Sequence, residues 1–435
     1  MATELRAPRP SSGRRLAGIE GLRALAASSV LVYHAWLYSD PDGTPVGLDT
    51  AGAIPFQTLA LGVTLFFVLS GFLLYRPFVS AALSRDHLPS VGAYFRNRAL
   101  RILPAYWVIL LLSGLVLQTT LLRNGGTLEA GALTDPGDLL RTAFLVHNYS
   151  PGTVVTGIGP AWSLAVEVVF YLLVPLLGAL ALFMSLRARG ARGLLAAALA
   201  PAALMLLIGL SGKLAAATLV TGSGPDGGWT SDWHSVLVRS FLAQADLFAF
   251  GMVVAVLHVQ VERGALRLPD RWRSIALATA VPVGLLAAVR LDLVDGQFSY
   301  LPENTLIAAA FATLLALVVF PVGGEPSRLT RRLEMPVVIW VGLISYSLFL
   351  WHEPVVRWLE AHGLVAGGAT GLAVNIAVLA IVSGALAALT YRFVERPALR
   401  HKASMRGASK APRPRQAAPV DAATLRGQKA QTTSG

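Results

Sequence analysis

The stretch Ile19-Glu20-Gly21-Leu22-Arg23-Ala24-Leu25-Ala26-Ala27-Ser28-Ser29-Val30-Leu31-Val32-Tyr33-His34 decides the fold. It is apolar enough to enter a membrane, yet it carries Arg23 and His34, eleven residues apart. On an α-helix that spacing is about three turns and about 16 Å of rise, so the two side chains share a face at different depths. Ionisable groups are costly in hydrocarbon and mark sites or pathways. The basic residues before this stretch give it the look of a signal peptide. Glu20, Arg23, His34 and its length make it an uncleaved first span instead.

The rest of the chain agrees with a membrane setting. Of 435 residues, 54% are hydrophobic and only 14% charged, against about 25% charged in soluble domains. A net charge of +12 would otherwise suggest nucleic acid, but the charges sit between apolar spans and in the tails. Cysteine is absent, which excludes disulfides, a thiolate nucleophile and Cys-based metal sites. No metal site is expected. There is no G-x-S-x-G elbow, no H-E-x-x-H and no P-loop.

Ten apolar segments are long enough to span, near 17–38, 57–75, 99–118, 160–184, 194–213, 236–258, 275–290, 304–322, 337–357 and 367–392. Their loops alternate in Lys and Arg content. One side receives Arg76, Arg85, Arg96, Arg98 and Arg101, then Arg187, Arg189 and Arg192, and both basic ends of the chain. The other receives Arg123, Arg141, Lys213, Arg239, Arg290 and Arg357, with Asp40, Asp42 and Asp49 in its first loop. The expectation is an all-α, polytopic bundle of about ten transmembrane helices in the plasma membrane, with both termini cytoplasmic. Its parts are a basic N-terminal tail (1–16), a membrane domain (17–397) and a basic, disordered C-terminal tail (398–435). The 119–159 loop is the longest outer one and is placed to cover a site.

Depth then sorts the polar residues. Counting from the span ends puts His34, Glu167 and His352 together in an outer layer, and Arg23, Arg76, Arg98 and Arg101 in an inner one. Asp246 lies mid-span in the sixth segment. Planar arginine forks match phosphate, and a neutral histidine accepts a proton from an alcohol. Glu167 would orient that imidazole or take the proton onward. Each residue also has a bland reading. Arg76, Arg98 and Arg101 also serve as positive-inside anchors, Glu167 and Asp246 as ion-pair partners, and His34 and His352 as hydrogen-bonded structural residues.

The pattern resembles the acyltransferase 3 family of bacterial multi-pass membrane O-acyltransferases. The matching pieces are Arg23-x10-His34, Phe66-Phe67-Val68-Leu69-Ser70-Gly71-Phe72, Arg98-Ala99-Leu100-Arg101 and Trp162-Ser163-Leu164-x-x-Glu167. Late pieces are Ser345-Tyr346-x-Leu348-x-Leu350-x-His352-x-Pro354 and Tyr391-Arg392-x-x-Glu395-Arg396-Pro397. The resemblance implies an acyl-CoA donor, commonly acetyl-CoA, used as a co-substrate from the cytoplasm, with no permanently bound cofactor. The acceptor would be a hydroxyl on a sugar, glycolipid, wall polymer or macrolide. It implies that His34 is catalytic, with Arg23 as its motif partner and Arg98 and Arg101 as donor-binding or structural residues. With the depth reading added, His34 and Glu167 are the catalytic candidates, and Arg23, Arg98, Arg101 and Ser70 the donor-binding ones. His352, Arg76 and Asp246 are possible additional site residues. Some relatives carry an extra outer hydrolase-like domain; this sequence shows none, so acceptors that depend on one are less expected. A transporter or flippase without covalent chemistry is the competing class, and no inverted repeat supports it.

Overall fold

The structure is a computed structural model that describes residues 16–39, 54–124, 127–219, 230–269, 271–293, 302–321 and 325–402. Most of the expected N-terminal tail, Asp40, Asp42 and Asp49 of the first outer loop, and the tail beyond 402 lie outside these residues, as does the Arg290 side chain.

The chain forms helices α1 (Ile19–Leu37), α2 (Ile54–Leu59), α3 (Gly62–Ser84), α4 (Val91–Leu111), α5 (Pro136–Ala143), α6 (Ala161–Arg187), α7 (Gly190–Leu219), α8 (Trp233–Val238), α9 (Phe241–Glu262), α10 (Trp272–Leu293), α11 (Pro302–Val319), α12 (Arg328–Leu333), α13 (Pro336–Ala361), α14 (Gly368–Thr390) and α15 (Arg396–Leu399). Strands β1 (Thr120–Asn124) and β2 (Thr127–Gly131) pair antiparallel in the long loop, a local hairpin in an otherwise helical fold. Each of the ten apolar segments lies on a helix. Among the described residues, seven helical stretches are long and apolar enough to cross a membrane. α1 is not counted among them, and the apolar parts of α10 and α11 are shorter.

Helix ends differ from the hydropathy reading where polar residues continue a helix. α4 begins at Val91, capped by the Ser90 hydroxyl, which accepts from the Ala93 N–H. Arg96 and Arg98, expected before the span, are therefore on the helix with Arg101. α3 runs to Ser84 through Pro77, so Arg76 is helical too. Lys213, expected in an outer loop, is 3% exposed inside α7, with an ion pair that supports it there.

Small residues set how closely the helices pack, as membrane bundles require. A Cβ at Gly71 would run into the carbonyl oxygen of Phe248, and one at Gly342 into that of Glu20. These glycines bring α3 against α9 and α13 against α1. Contacts also give the directions. Arg23–Ser345 and His34–His352 pair in the same order, so α1 and α13 run parallel. Phe67–Trp162, Ser70–Glu167 and Arg85–Ser185 do the same for α3 and α6. α1 packs on α3 and α13, α3 on α6 and α9, and α13 on α14.

Candidate active site

Arg23 is half-buried on α1. Its Nε donates to Ser345 Oγ at 3.3 Å and stands 3.7 Å from Glu20. Arg101 on α4 donates through Nη1 to Glu395 at 3.1 Å. Glu395 is 1% exposed and also accepts from Ser347 at 2.5 Å. It reaches them from a π-helical turn, Tyr391–Glu395, that follows α14. One added residue per turn shifts which side chains face inward, a device common at functional sites. Arg98 is different: its Nε is buried without a hydrogen-bond partner among the described residues. Ser70 on α3 donates to Glu167 on α6, and Tyr171 lines the same space as both.

These groups line one cavity. Arg23, Arg98, Arg101, Ser70, Glu167, Tyr171 and Tyr346 enclose it with Phe66 and Phe349, leaving about 740 Å³ of space free of protein atoms. Three guanidiniums against one carboxylate make its walls cationic. A second space of about 490 Å³ is lined by His34, Tyr33, Val30, Pro160, Trp162 and Phe349. Phe349 belongs to both, so one aromatic side chain lies between them. The Phe66 ring packs edge-on against it, 5.5 Å away.

The shared outer layer of His34, Glu167 and His352 is therefore corrected. His34 and His352 meet, with His352 Nε2 3.3 Å from His34 Nδ1. Glu167 lies inward with the arginines, beside Ser70 and not beside the imidazole. The reason is that α6 starts below the surface. Residues 153–161 are buried ahead of it, and the Gly159 N–H donates to Glu353 at 2.8 Å. Counting depth from the first apolar residue put Glu167 too far out.

Two other candidates leave the site. Arg76 Nη2 donates to both carboxylate oxygens of Glu262, at 2.7 and 2.9 Å, at the end of α9. Asp246 accepts from Lys213 and Thr305, each at 2.5 Å, between α7, α9 and α11. Neither lines a wall of the two cavities. Sequence reasoning did not single out Glu395 or Phe349 as site residues. Glu395 carried one signal, a carboxylate within a motif at the end of the last span; Phe349 carried none beyond its place in the ninth apolar segment.

A family model described as an acyltransferase domain, Acyl_transf_3, matches residues 16–392. The chain belongs to the acyltransferase 3 family. It is similar to the acyltransferase MdmB of Streptomyces mycarofaciens, at 27% identity over 92% of this chain and 96% of that one. It is also similar to the O-acetyltransferase OatA of Staphylococcus aureus, at 24% identity over 89% of this chain and 57% of that one. YrhL of Bacillus subtilis, whose name places it provisionally among peptidoglycan O-acetyltransferases, is 25% identical over 88% of this chain and 55% of that one. The chain thus spans little more than half the length of YrhL and OatA. No solved structure matches it.

Proposed function

We propose that this acyltransferase moves an acyl group, by preference acetyl, from a cytoplasmic acyl-CoA thioester to a hydroxyl of a carbohydrate, glycolipid, wall polymer or macrolide-like acceptor near the outer face of the plasma membrane. The observation that carries the reading is the pair of adjoining cavities, one cationic and one holding His34, separated by Phe349. Arginine forks suit the phosphates of CoA. The rise from Arg23 to His34, about 16 Å on a helix, is comparable to the reach of an extended pantetheine arm, which would bring the thioester past Phe349 to the histidine.

His34 is the general base in this scheme. It takes the proton of the acceptor hydroxyl as that oxygen forms its bond to the thioester carbonyl carbon. The carbon–sulfur bond then breaks, and the proton returns from His34 to the departing thiolate, leaving the imidazole neutral. Glu167, tied to Ser70 and beside the Arg23 and Arg98 charges, balances charge at the donor end. The parallel course of α1 with α13, and of α3 with α6, fits an alternating topology, and the basic loops assign both termini of about ten spans to the cytoplasm.

Vesicles containing the protein, supplied with radiolabelled acetyl-CoA, test the reading. Label should pass into vesicle material, and His34→Ala should lower the rate by at least about 10²-fold, the usual worth of a general base, with expression unchanged. Wild-type turnover by His34→Ala would refute the base assignment. Failure to bind or turn over the thioester at all would favour a transporter.

A further inference from the structure

His352 has a relation to His34 that the two carbonyls beside them make readable. His34 Nδ1 lies 2.9 Å from the carbonyl oxygen of Val30, one turn back on α1. His352 Nδ1 lies 3.3 Å from the carbonyl oxygen of Leu348, one turn back on α13. A carbonyl oxygen only accepts, so each Nδ1 carries the hydrogen, and in a neutral ring each Nε2 is then the bare nitrogen. Two consequences follow. The nitrogen of His34 left for an acceptor hydroxyl is Nε2, in the state a base requires. The hydrogen on His34 Nδ1 faces a second acceptor as well, the lone pair of His352 Nε2 at 3.3 Å.

We infer that His352 is the positioning partner of His34, holding it in the Nδ1–H tautomer and stabilising the imidazolium that forms when Nε2 takes the substrate proton. The inference rests on His34 being the general base. His352 is fully buried and is not among the residues lining the His34 cavity, so it acts on the substrate only through His34. Its rigidity comes from the helices that hold both rings. Gly342 brings α13 onto α1 near Glu20, Ser345 then meets Arg23, and two turns later His352 meets His34, with ring centroids 4.7 Å apart and planes at 64°. Edge-on rings place a lone pair of one against an N–H of the other, which stacked rings would not. Glu353, the next residue, is engaged elsewhere, by Gly159 and Arg357, so it does not take the place that His352 fills.

Three substitutions of His352 test this in vesicles supplied with radiolabelled acetyl-CoA. His352→Gln places an amide oxygen close to where Nε2 stands, and it still accepts from His34. His352→Asn is equally polar but too short, and His352→Leu accepts nothing. We expect Leu and Asn to lower kcat about ten- to a hundredfold, part of the 10²–10⁴ that a general base supplies, with KM for acetyl-CoA within about twofold of wild type. Gln should keep about a third or more of kcat. Equal kcat for Gln and Asn, or wild-type kcat for Leu, would overturn the role. A purely structural histidine would instead lower the thermal unfolding midpoint and the amount of active protein in step for all three. His34→Ala serves as the reference. If it stays active, the base assignment fails first; if it is inactive while Leu is not, only the partnership fails.

Discussion

Arg98 and Arg101 stand three residues apart on α4 and line the same cavity, yet the structure predicts that their loss has different consequences. Arg101 is already committed. It is 16% exposed and bonded to Glu395, which is 1% exposed. Arg101→Ala would strand a buried carboxylate, and removing one partner of a buried ion pair costs about 3–5 kcal/mol. Arg101 is partly exposed, so the lower figure is the better guide. Among the described residues Arg98 Nε is buried without a hydrogen-bond partner, so that donor is left for an anionic ligand. A hydrogen bond to a charged group is worth about 1.5–3 kcal/mol, which at 1.4 kcal/mol per decade is about a ten- to hundredfold weaker Kd. Arg98→Ala should thus lose affinity for a non-hydrolysable acetyl-CoA analogue by about that factor while keeping its thermal stability. Arg101→Ala should lose stability, by about 3 kcal/mol, whatever it does to affinity. Titration calorimetry and thermal unfolding in detergent read the two quantities separately. Wild-type affinity in Arg98→Ala, or an unchanged unfolding midpoint in Arg101→Ala, would refute the division. Arg98→Lys should recover only part of the affinity, since a point charge lacks the fork.

Asp246→Ala leaves Lys213, 3% exposed, as an unpaired buried cation; it should destabilise the protein by about 3–5 kcal/mol without changing acetyl-CoA affinity, measured by the same two methods. Phe349→Trp enlarges the side chain shared by the two cavities, so acyl transfer should fall at least about tenfold while donor binding stays within about twofold; equal loss of both would mean that Phe349 shapes the donor cavity alone. The chain has no cysteine, which makes accessibility mapping clean. Ala130→Cys on β2 should react with an impermeant thiol reagent added to intact cells and Ser84→Cys should not, and the opposite pattern would overturn the assigned direction of the spans.

Much of the architecture was legible in the sequence, because it depends on short-range physics. Hydropathy over about twenty residues locates the helices, and the 3.6-residue period alone puts Arg23 and His34 on one face of α1 with a fixed rise between them. The same locality placed Arg98 and Arg101 together, and both do line the cationic cavity. What sequence could not supply was partnership across helices. Arg76 and Arg101 both read as charges near a span end, and only packing gave one Glu262 on α9 and the other Glu395, 294 residues away. Asp246 looked like a site residue until Lys213 and Thr305 arrived from two other helices. Glu167 moved from the histidine to the arginines because α6 begins beneath a buried loop, and hydropathy measures the length of a span and not the depth at which it starts. His352 became the neighbour of His34 through a close helix contact at Gly342, 322 residues from Glu20. A side chain's own helix fixes its direction, but its ionic and hydrogen-bonding partners depend on the rotation and approach of other helices, which no local window of sequence contains.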